Sequence, residues 1–399
     1  MIYEFPPFRL DTERLELTRA GAAVALEPQV FRLIQVLVEQ RERVVSKDDL
    51  MDLVWDGRIV SDATLSTRIN AARRALDDDG KAQAVIRTSP RRGFRFVAEV
   101  VTEGAATLAE TPASPLAAGH AVSQEIRFCT ANDGVRVAYA TTGQGPPIVK
   151  SANWLNHLEF DWQSPVWRHV FTELSRDNTL VRYDGRGNGL SDRDVDDISF
   201  EAMVSDLETV IDAAGLDRVT LFGMSQGCSV SVAYAARHPE RVERLILIGG
   251  YLTGWTLETP EEVERQNAIM ALIRAGWGTD NAAFRQVFTS LLIPEGTTEQ
   301  MQWFNELQRM TTSADMAVRL RRVFGDIDVR DQASRVSAPT LVLHARNDAM
   351  VRFERGRKVA AGIPGARFVP LESQNHLLLE DEPAWPVFLG EVERFMAET

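Results

Sequence analysis

The sequence predicts two folded units of different class: an α+β head over residues 1–100 and an α/β body over residues 125–399, joined by a flexible linker over 101–124. Three observations lead there. The head reads as short strands, three helices and a hairpin, whereas the body alternates buried strands with helices, the pattern of a mostly parallel sheet covered on both faces. The stretch between them contains Pro112, Pro115 and Gly119 among Ala and Thr and has no apolar periodicity. Charge is also divided unequally. Residues 1–100 hold 16 Lys+Arg and 16 Asp+Glu, while the remainder holds 28 against 41 and so carries the whole net charge of −13. A neutral head with local basic clusters on an acidic body confines any nucleic-acid contact to the head.

In the head, Phe5, Phe8, Leu10, Leu15 and Leu17 alternate with polar residues as short strands, and Arg19-Ala20-Gly21 marks a turn. Glu27 opens a helix with Val30, Phe31, Ile34, Leu37 and Val38 on one face. Ser46, with Asp49 three residues on, caps a second helix through Leu50, Leu53, Val54 and Trp55, which Gly57 ends; Trp55 is expected in the core. Ser61-Asp62 caps a third helix. Its inward face is Leu65, Ile69, Ala72 and Leu76, and its outward face is Ser66, Thr67, Arg68, Asn70, Arg73 and Arg74. Ile86 to Val100 alternates around Pro90-Arg91-Arg92-Gly93, a hairpin with a basic tip. This is winged helix-turn-helix chemistry. A cationic third helix reads base edges in the major groove, and the hairpin tip reaches phosphate or the minor groove.

Asp52-Leu53-Val54-Trp55, the Arg-rich third helix and Arg92-Gly93-Phe94-Arg95-Phe96 resemble the OmpR/PhoB-type output domain over the whole head. The resemblance implies a double-stranded promoter operator as partner, contacted by Thr67, Arg68, Asn70, Arg73, Arg74, Arg91 and Arg92. It also implies a homodimer on tandem repeats and RNA polymerase as a further partner. Members of that family often take input from a preceding receiver domain; here the input is expected from the body.

The body begins with a hairpin, Ile126 to Tyr139 around Asn132-Asp133-Gly134, then the strands Pro147-Ile148-Val149 and Thr179 to Tyr183. A tight loop, Asp184 to Ser191, and a helix from Met203 to Ala214 follow. The strand Val219-Thr220-Leu221-Phe222 then runs into Gly223-Met224-Ser225-Gln226-Gly227 and a helix. Strand, G-x-S-x-G, helix is the context of a nucleophile elbow, where glycine flanks avoid steric collision at a sharp turn. After Arg244 to Ile248 the alternation breaks. Residues 251–335 form a mostly helical, aromatic-rich cap, with Gly254, Gly276 and Gly278 expected as its hinges. The sheet resumes at Thr340 and Ala366, and an amphipathic helix through Val387, Phe388, Val392 and Phe395 closes the chain. Asp348 and His376 each follow one of the resumed strands.

Residues 125–399 thus resemble the α/β-hydrolase superfamily, in Asp184 to Ser191, the elbow, Ala345-Arg346-Asn347-Asp348 and Asn375-His376. Asn153 to Glu159 is similar to a bacterial subgroup fused to regulatory or cyclase domains. The resemblance implies that Ser225 attacks a carbonyl carbon, His376 moves the proton, and Asp348 fixes the imidazole. Backbone N–H groups of Trp154 and Gln226 would meet the oxyanion. Ala152-Asn153 stands where the family has His-Gly, which leaves two outcomes open: Asn153 supplies left-handed backbone and the oxyanion hole survives, or the hole is distorted and loses transition-state stabilisation. Asn153, His157, Met224, Tyr251 and Trp255 are expected to line the ligand pocket.

No metal or cofactor is expected: there is no Cys/His cluster and no G-x-G-x-x-G. Cys129 and Cys228 give no disulfide framework, and no leader or long apolar run stands in the sequence, so a cytoplasmic location without membrane contact is expected. The function expected is a one-component transcriptional regulator whose body binds a small ester-, lactone-like or apolar ligand. A serine hydrolase whose turnover is its main role, and a receptor that keeps the triad but hardly turns over, stay open.

Overall fold

The computed structural model describes residues 2–398, apart from 13–15, 20–21, 25, 27, 42–43, 56–61, 79–82, 90–92, 99, 104–123, 278 and 280. The chain divides into two compact units, Met1–Ala117 and Ala118–Thr399.

In the first unit, β1 (Ile2–Phe5), β2 (Phe8–Asp11), β3 (Glu16–Arg19) and β4 (Ala22–Val24) form an antiparallel meander. Helices α1 (Pro28–Glu39), α2 (Lys47–Trp55) and α3 (Asp62–Ala75) follow, then the hairpin β5 (Ile86–Ser89) and β6 (Gly93–Phe96). Apolar stripes set the packing: Leu33, Ile34 and Leu37 of α1 meet Leu65, Ile69 and Ala72 of α3 over Phe5, Leu10 and Phe96. The Ser46 cap forms as expected. Asp49 N–H donates to Ser46 Oγ at 3.0 Å, and Ser46 N–H donates to Asp49 Oδ2 at 3.2 Å. The boundary at residue 100 requires correction. β7 (Val101–Glu103) pairs antiparallel with β1, Ile2 opposite Glu103, and completes a five-stranded sheet in the order β4-β3-β2-β1-β7. These three residues satisfy the backbone edge that β1 would otherwise expose. The expected features at Gly57, Ser61, Arg91, Arg92, Gly278 and residues 104–123 lie outside the described residues, as do the side chains of Trp55, Ser66 and Thr67.

The second unit opens with the antiparallel hairpin β8 (Glu125–Thr130) and β9 (Arg136–Thr142). Then come β10 (Pro147–Lys150), α4 (Leu158–Trp162), α5 (Arg168–Leu174), β11 (Thr179–Tyr183), α6 (Phe200–Ala213), β12 (Val219–Met224), α7 (Gln226–Arg237) and β13 (Val242–Ile248). Helices α8 (Pro260–Gly276), α9 (Ala282–Leu292), α10 (Thr298–Thr311) and α11 (Ala314–Gly325) build the cap, while α12 (Arg330–Ala333) packs back on α7. β14 (Thr340–Ala345), α13 (Phe353–Gly362), β15 (Arg367–Leu371) and α14 (Ala384–Ala397) complete the chain.

The sheet order is β15-β14-β13-β12-β10-β11-β9-β8, parallel from β15 to β11 and antiparallel at β9 and β8. After β10 the chain goes to β11 on one side and then crosses to β12 on the other. Loops leaving the carboxyl ends of β10 and β12 therefore diverge and leave a crevice, the usual ligand position in such sheets. The cap covers it. Two of the glycines expected as its hinges are tightly packed. A Cβ at Gly254 would stand 2.0 Å from the Gly325 carbonyl oxygen, and one at Gly276 would stand 2.1 Å from Phe284 Cβ. Both permit close approach of packed elements.

Candidate functional site

The head's candidate surface is α3. Asn70 and Arg74 are exposed and Arg68 is half-buried, consistent with an outward cationic face. Arg73 is not part of it. Its guanidinium is buried and donates through Nε and Nη2 to the Ile86 carbonyl, at 3.1 and 2.8 Å, and through Nη2 to Thr88 Oγ1 at 2.8 Å. Asp78, buried 4.0 Å from Arg73 Nε, accepts from the backbone N–H groups of Ala84, Val85 and Ile86. Together they fasten the wing to the helix. The side chain faces inward because residues 69, 73 and 76 recur at helical spacing on one stripe.

In the body, β12 ends at Met224 and α7 begins at Gln226, so Ser225 turns the corner alone, at φ 53° and ψ −127°. A non-glycine residue is held there only when its surroundings over-determine it. Ser225 N–H donates to the Ile248 carbonyl at 3.0 Å, and its carbonyl accepts from Cys228 N–H at 3.1 Å. A Cβ at Gly223 would meet Cys228 Cα at 2.8 Å, and one at Gly227 would meet the Ala152 carbonyl oxygen at 3.0 Å. The flanking glycines are thus required by the helix on one side and the loop after β10 on the other. Cys228 is a buried packing residue, and burial pushes its thiol well above the usual range.

Asp348 leaves β14 and His376 follows β15, and the two side chains meet: His376 Nδ1 lies 2.6 Å from Asp348 Oδ2. The other carboxylate oxygen accepts from Met350 N–H and Val351 N–H, both at 2.8 Å. Asp348 therefore presents one fixed oxygen to the ring. His376 Nε2 is buried and has no hydrogen-bond partner among the described residues, so it stands available for a proton. The cap reaches this loop directly, because His376 N–H donates to the Leu292 carbonyl at the end of α9, at 2.8 Å.

The oxyanion position has an occupant that the sequence did not reveal. Trp154 N–H donates at 3.1 Å to the side-chain oxygen of Gln226, whose Nε2 donates to the Ala152 carbonyl at 3.2 Å. A carbonyl oxygen could meet this N–H only by displacing the amide. Asn153 does not adopt left-handed backbone, since among the described non-glycine residues only Asp77, Gln83 and Ser225 have positive φ. Its side chain instead accepts from buried Lys150, and its carbonyl accepts from Asn156 Nδ2 at 2.6 Å.

A cavity of about 40 Å³ opens on Ser225, bounded by Trp154, Gln226, Tyr251, Trp255, Arg321 and Arg355 among others. Of the residues expected at the ligand pocket, Tyr251 and Trp255 line this cavity. Asn153, His157 and Met224 do not: Asn153 is engaged with Lys150, His157 caps α4 by accepting from Phe160 N–H at 3.4 Å, and Met224 is buried in the core. Trp154 joins the loop to the cap. Its indole stacks on Trp277 at 5.3 Å, meets Phe288 edge-on at 5.3 Å, and lies under the Arg321 guanidinium at 5.6 Å.

Sequence reasoning missed Arg321 and the Gln226 side chain. Arg321 had a signal: it falls four residues after Ala317 and three before Phe324, both buried on α11. Behind the oxyanion loop lies a second unforeseen group, buried Lys150, Asp161, Arg182 and Asp184. Burial pushes the Lys150 ammonium down and the Asp161 carboxyl up, and lifts Asp184 to about 6 against the N–H bonds from Leu190 and Leu158.

A family model described as alpha/beta hydrolase fold matches residues 162–383, and one described as transcriptional regulatory protein, C terminal, matches residues 21–96. AB hydrolase superfamily protein YisY of Bacillus subtilis (strain 168) is 28% identical over 242 residues, covering 59% of this chain and 86% of that protein. Pyrrolizixenacetamide deacetylase of Xenorhabdus hominickii is 26% identical over 253 residues, covering 62% and 90%. Among solved structures, a hydrolase from Pseudomonas aeruginosa PA01 superposes with a TM-score of 0.58 at 24% identity, over 71% of this chain and 100% of that one. An enol-lactonase from Burkholderia xenovorans LB400 gives 0.51 at 24%, over 68% and 100%. At those identities the structural matches establish the fold alone. No helix among the described residues is long and apolar enough to cross a membrane.

Proposed function

The chain belongs to the α/β-hydrolase fold family and carries a transcription-regulator DNA-binding domain, and on that premise we propose that it is a one-component transcriptional regulator whose hydrolase-like body senses a small ester- or lactone-like ligand. Ser225, Asp348 and His376 act as its triad, Trp154 and Gln226 as its oxyanion donors, and Arg68, Asn70 and Arg74, with Thr67, Arg91 and Arg92, as its DNA contacts. It works in the cytoplasm, as a homodimer on tandem operator repeats, and acts on RNA polymerase.

One observation carries the sensing role. The Ser225 cavity, at about 40 Å³, has room for only a few water molecules. A ligand carbonyl meets the Trp154 backbone N–H only by displacing the Gln226 amide, and Trp154 itself is packed against the cap. The cap in turn holds Trp154 through Trp277 and the His376 loop through Leu292. A ligand that favours the displaced arrangement has different affinities for two states of the body, which is what a switch requires.

A second reading keeps the same site and makes turnover the main role; the bond-free His376 Nε2 favours it. Ser225 Oγ would bond to the acyl carbon as the C–O bond to the alcohol breaks. Its proton would pass through His376 to the departing alkoxide, and water would then release the carboxylate by the reverse transfers. Reacting Ser225 of the full chain with a fluorophosphonate separates the readings. Under the regulator reading, affinity for promoter DNA differs several-fold between modified and unmodified protein. Identical affinities would favour the hydrolase.

A further inference from the structure

Helix α11 turns an arginine toward the nucleophile. Arg321 shares the inward face of Ala317, Leu320 and Phe324 and is only 9% exposed. Its neighbours do not neutralise it. It donates to Gln266 Oε1, and Gln266 Nε2 donates in turn to Glu262 Oε1 at 2.7 Å. Glu262 is already held by Arg265 at 2.8 Å and Arg352 at 3.5 Å. No carboxylate among the described residues pairs with Arg321, and its Nε, buried, has no hydrogen-bond partner. The second guanidinium at the cavity, Arg355, differs in having a partner, Glu258 at 3.6 Å. Burial pushes Arg321 down to about 10, and it remains a cation at neutral pH. A buried charge without a counterion is costly, and a planar guanidinium fork is matched by a carboxylate.

We propose that the Ser225 cavity takes a compact ligand bearing a carboxylate, and that Arg321 receives that group. This rests on the proposed reading of the cavity as the ligand site and names the ligand's class. The guanidinium stands over the indole of Trp154, and the backbone N–H of the same residue points into the oxyanion position. The carboxylate and the carbonyl presented to Ser225 are therefore separated by a short chain, as in a half-ester of a small dicarboxylic acid or a lactone acid. The apolar walls, Trp154, Trp255, Phe288 and Phe324, hold that chain. Arg321 would thus set specificity, binding an anionic acid ester over its neutral isostere.

The test uses the full chain and the rate at which a fluorophosphonate labels Ser225, with malonate or malonamide as competitor at matched ionic strength. Malonate is expected to slow labelling of the wild type at least fivefold more than malonamide. Arg321→Met is expected to label without discriminating the two, and Arg321→Lys to discriminate weakly, because it keeps the charge and loses the fork. Equal effects of malonate and malonamide on the wild type, or full malonate protection of Arg321→Met, would overturn the proposal while leaving the triad standing. If the wild type is not labelled at all, the triad reading fails, and the melting temperature decides this one. A shift with malonate that Arg321→Met and Arg321→Lys lose supports Arg321; no shift in the wild type overturns it.

Discussion

Replacing Asp348 with Asn exchanges one carboxylate oxygen for an amide nitrogen and should silence the proposed triad without disturbing the fold. The two backbone donors at Oδ1, Met350 and Val351 at 2.8 Å, decide how the new amide sits. The Asn oxygen must accept from them, because turning the amide over would set its NH2 against two N–H groups and leave both unsatisfied. Its NH2 then faces His376 Nδ1, where the carboxylate oxygen stood at 2.6 Å. An amide donor there holds the imidazole with its proton on Nε2, the nitrogen that must accept from Ser225. The charge-assisted bond lost is worth about 1.5–3 kcal/mol, and the wrong tautomer adds to it. The same exchange in a serine protease triad costs about 10⁴ in kcat. A fall of about 10³–10⁴ in the rate of fluorophosphonate labelling is therefore expected, with cooperative unfolding retained and a melting temperature lowered by no more than about 10 °C. Labelling of Asp348→Asn within tenfold of wild type would refute the reasoning, since Asp348 would then not set the tautomer.

Three further outcomes follow from the same geometry. Arg73→Ala should lower the stability of the head by about 1–3 kcal/mol, because it leaves the Ile86 carbonyl without its guanidinium donor and removes the cation beside buried Asp78, whereas Arg74→Ala should change stability by less than about 0.5 kcal/mol and reduce the salt dependence of DNA binding; denaturant melts and a salt titration check the pair. Gly93→Ala should unseat the wing, since φ is 134° and a Cβ would lie 1.9 Å from the Val45 carbonyl oxygen, within the pair of 2.8 Å bonds that joins Val45 to Phe94; loss of DNA binding by a protein whose body still melts normally is the expected result. Asp184, lifted by burial to about 6, binds its proton more tightly folded than unfolded, so its contribution is full below about pH 4 and is lost as the pH rises to about 6; wild type should lose up to about 3 kcal/mol across that window relative to Asp184→Asn, and parallel pH profiles of the two melting temperatures would contradict it.

What local pattern could reveal, the sequence revealed: the elbow, the order Ser225, Asp348, His376, the helical cap and the three-helix head with its hairpin. Two arginines expose the limit of assigning polar residues to outer faces. Arg73 falls four residues after Ile69 and three before Leu76, and Arg321 stands in the same relation to Ala317 and Phe324. Periodicity placed both on apolar stripes, and only their charge argued for solvent. One fastens the wing, and the other is left facing the cavity. Features that depend on distant pairings were out of reach. The strand at Val101–Glu103 exists because Ile2–Phe5 has a free edge a hundred residues away. The Gln226 amide meets the Trp154 backbone N–H because β10 and β12 are neighbours in the sheet, although the two residues stand 72 positions apart.

The central claim, that ligand occupancy of the body controls the head, is tested most directly by transcription from the target promoter. Wild type and Ser225→Ala are compared across a titration of a small carboxylate-bearing ester. Regulation by binding predicts that both variants respond, with Ser225→Ala holding its response longer because the ligand is not consumed. Binding of the ester to the cavity of both variants with no change in transcription from either would contradict the claim and leave a hydrolase joined to a DNA-binding domain.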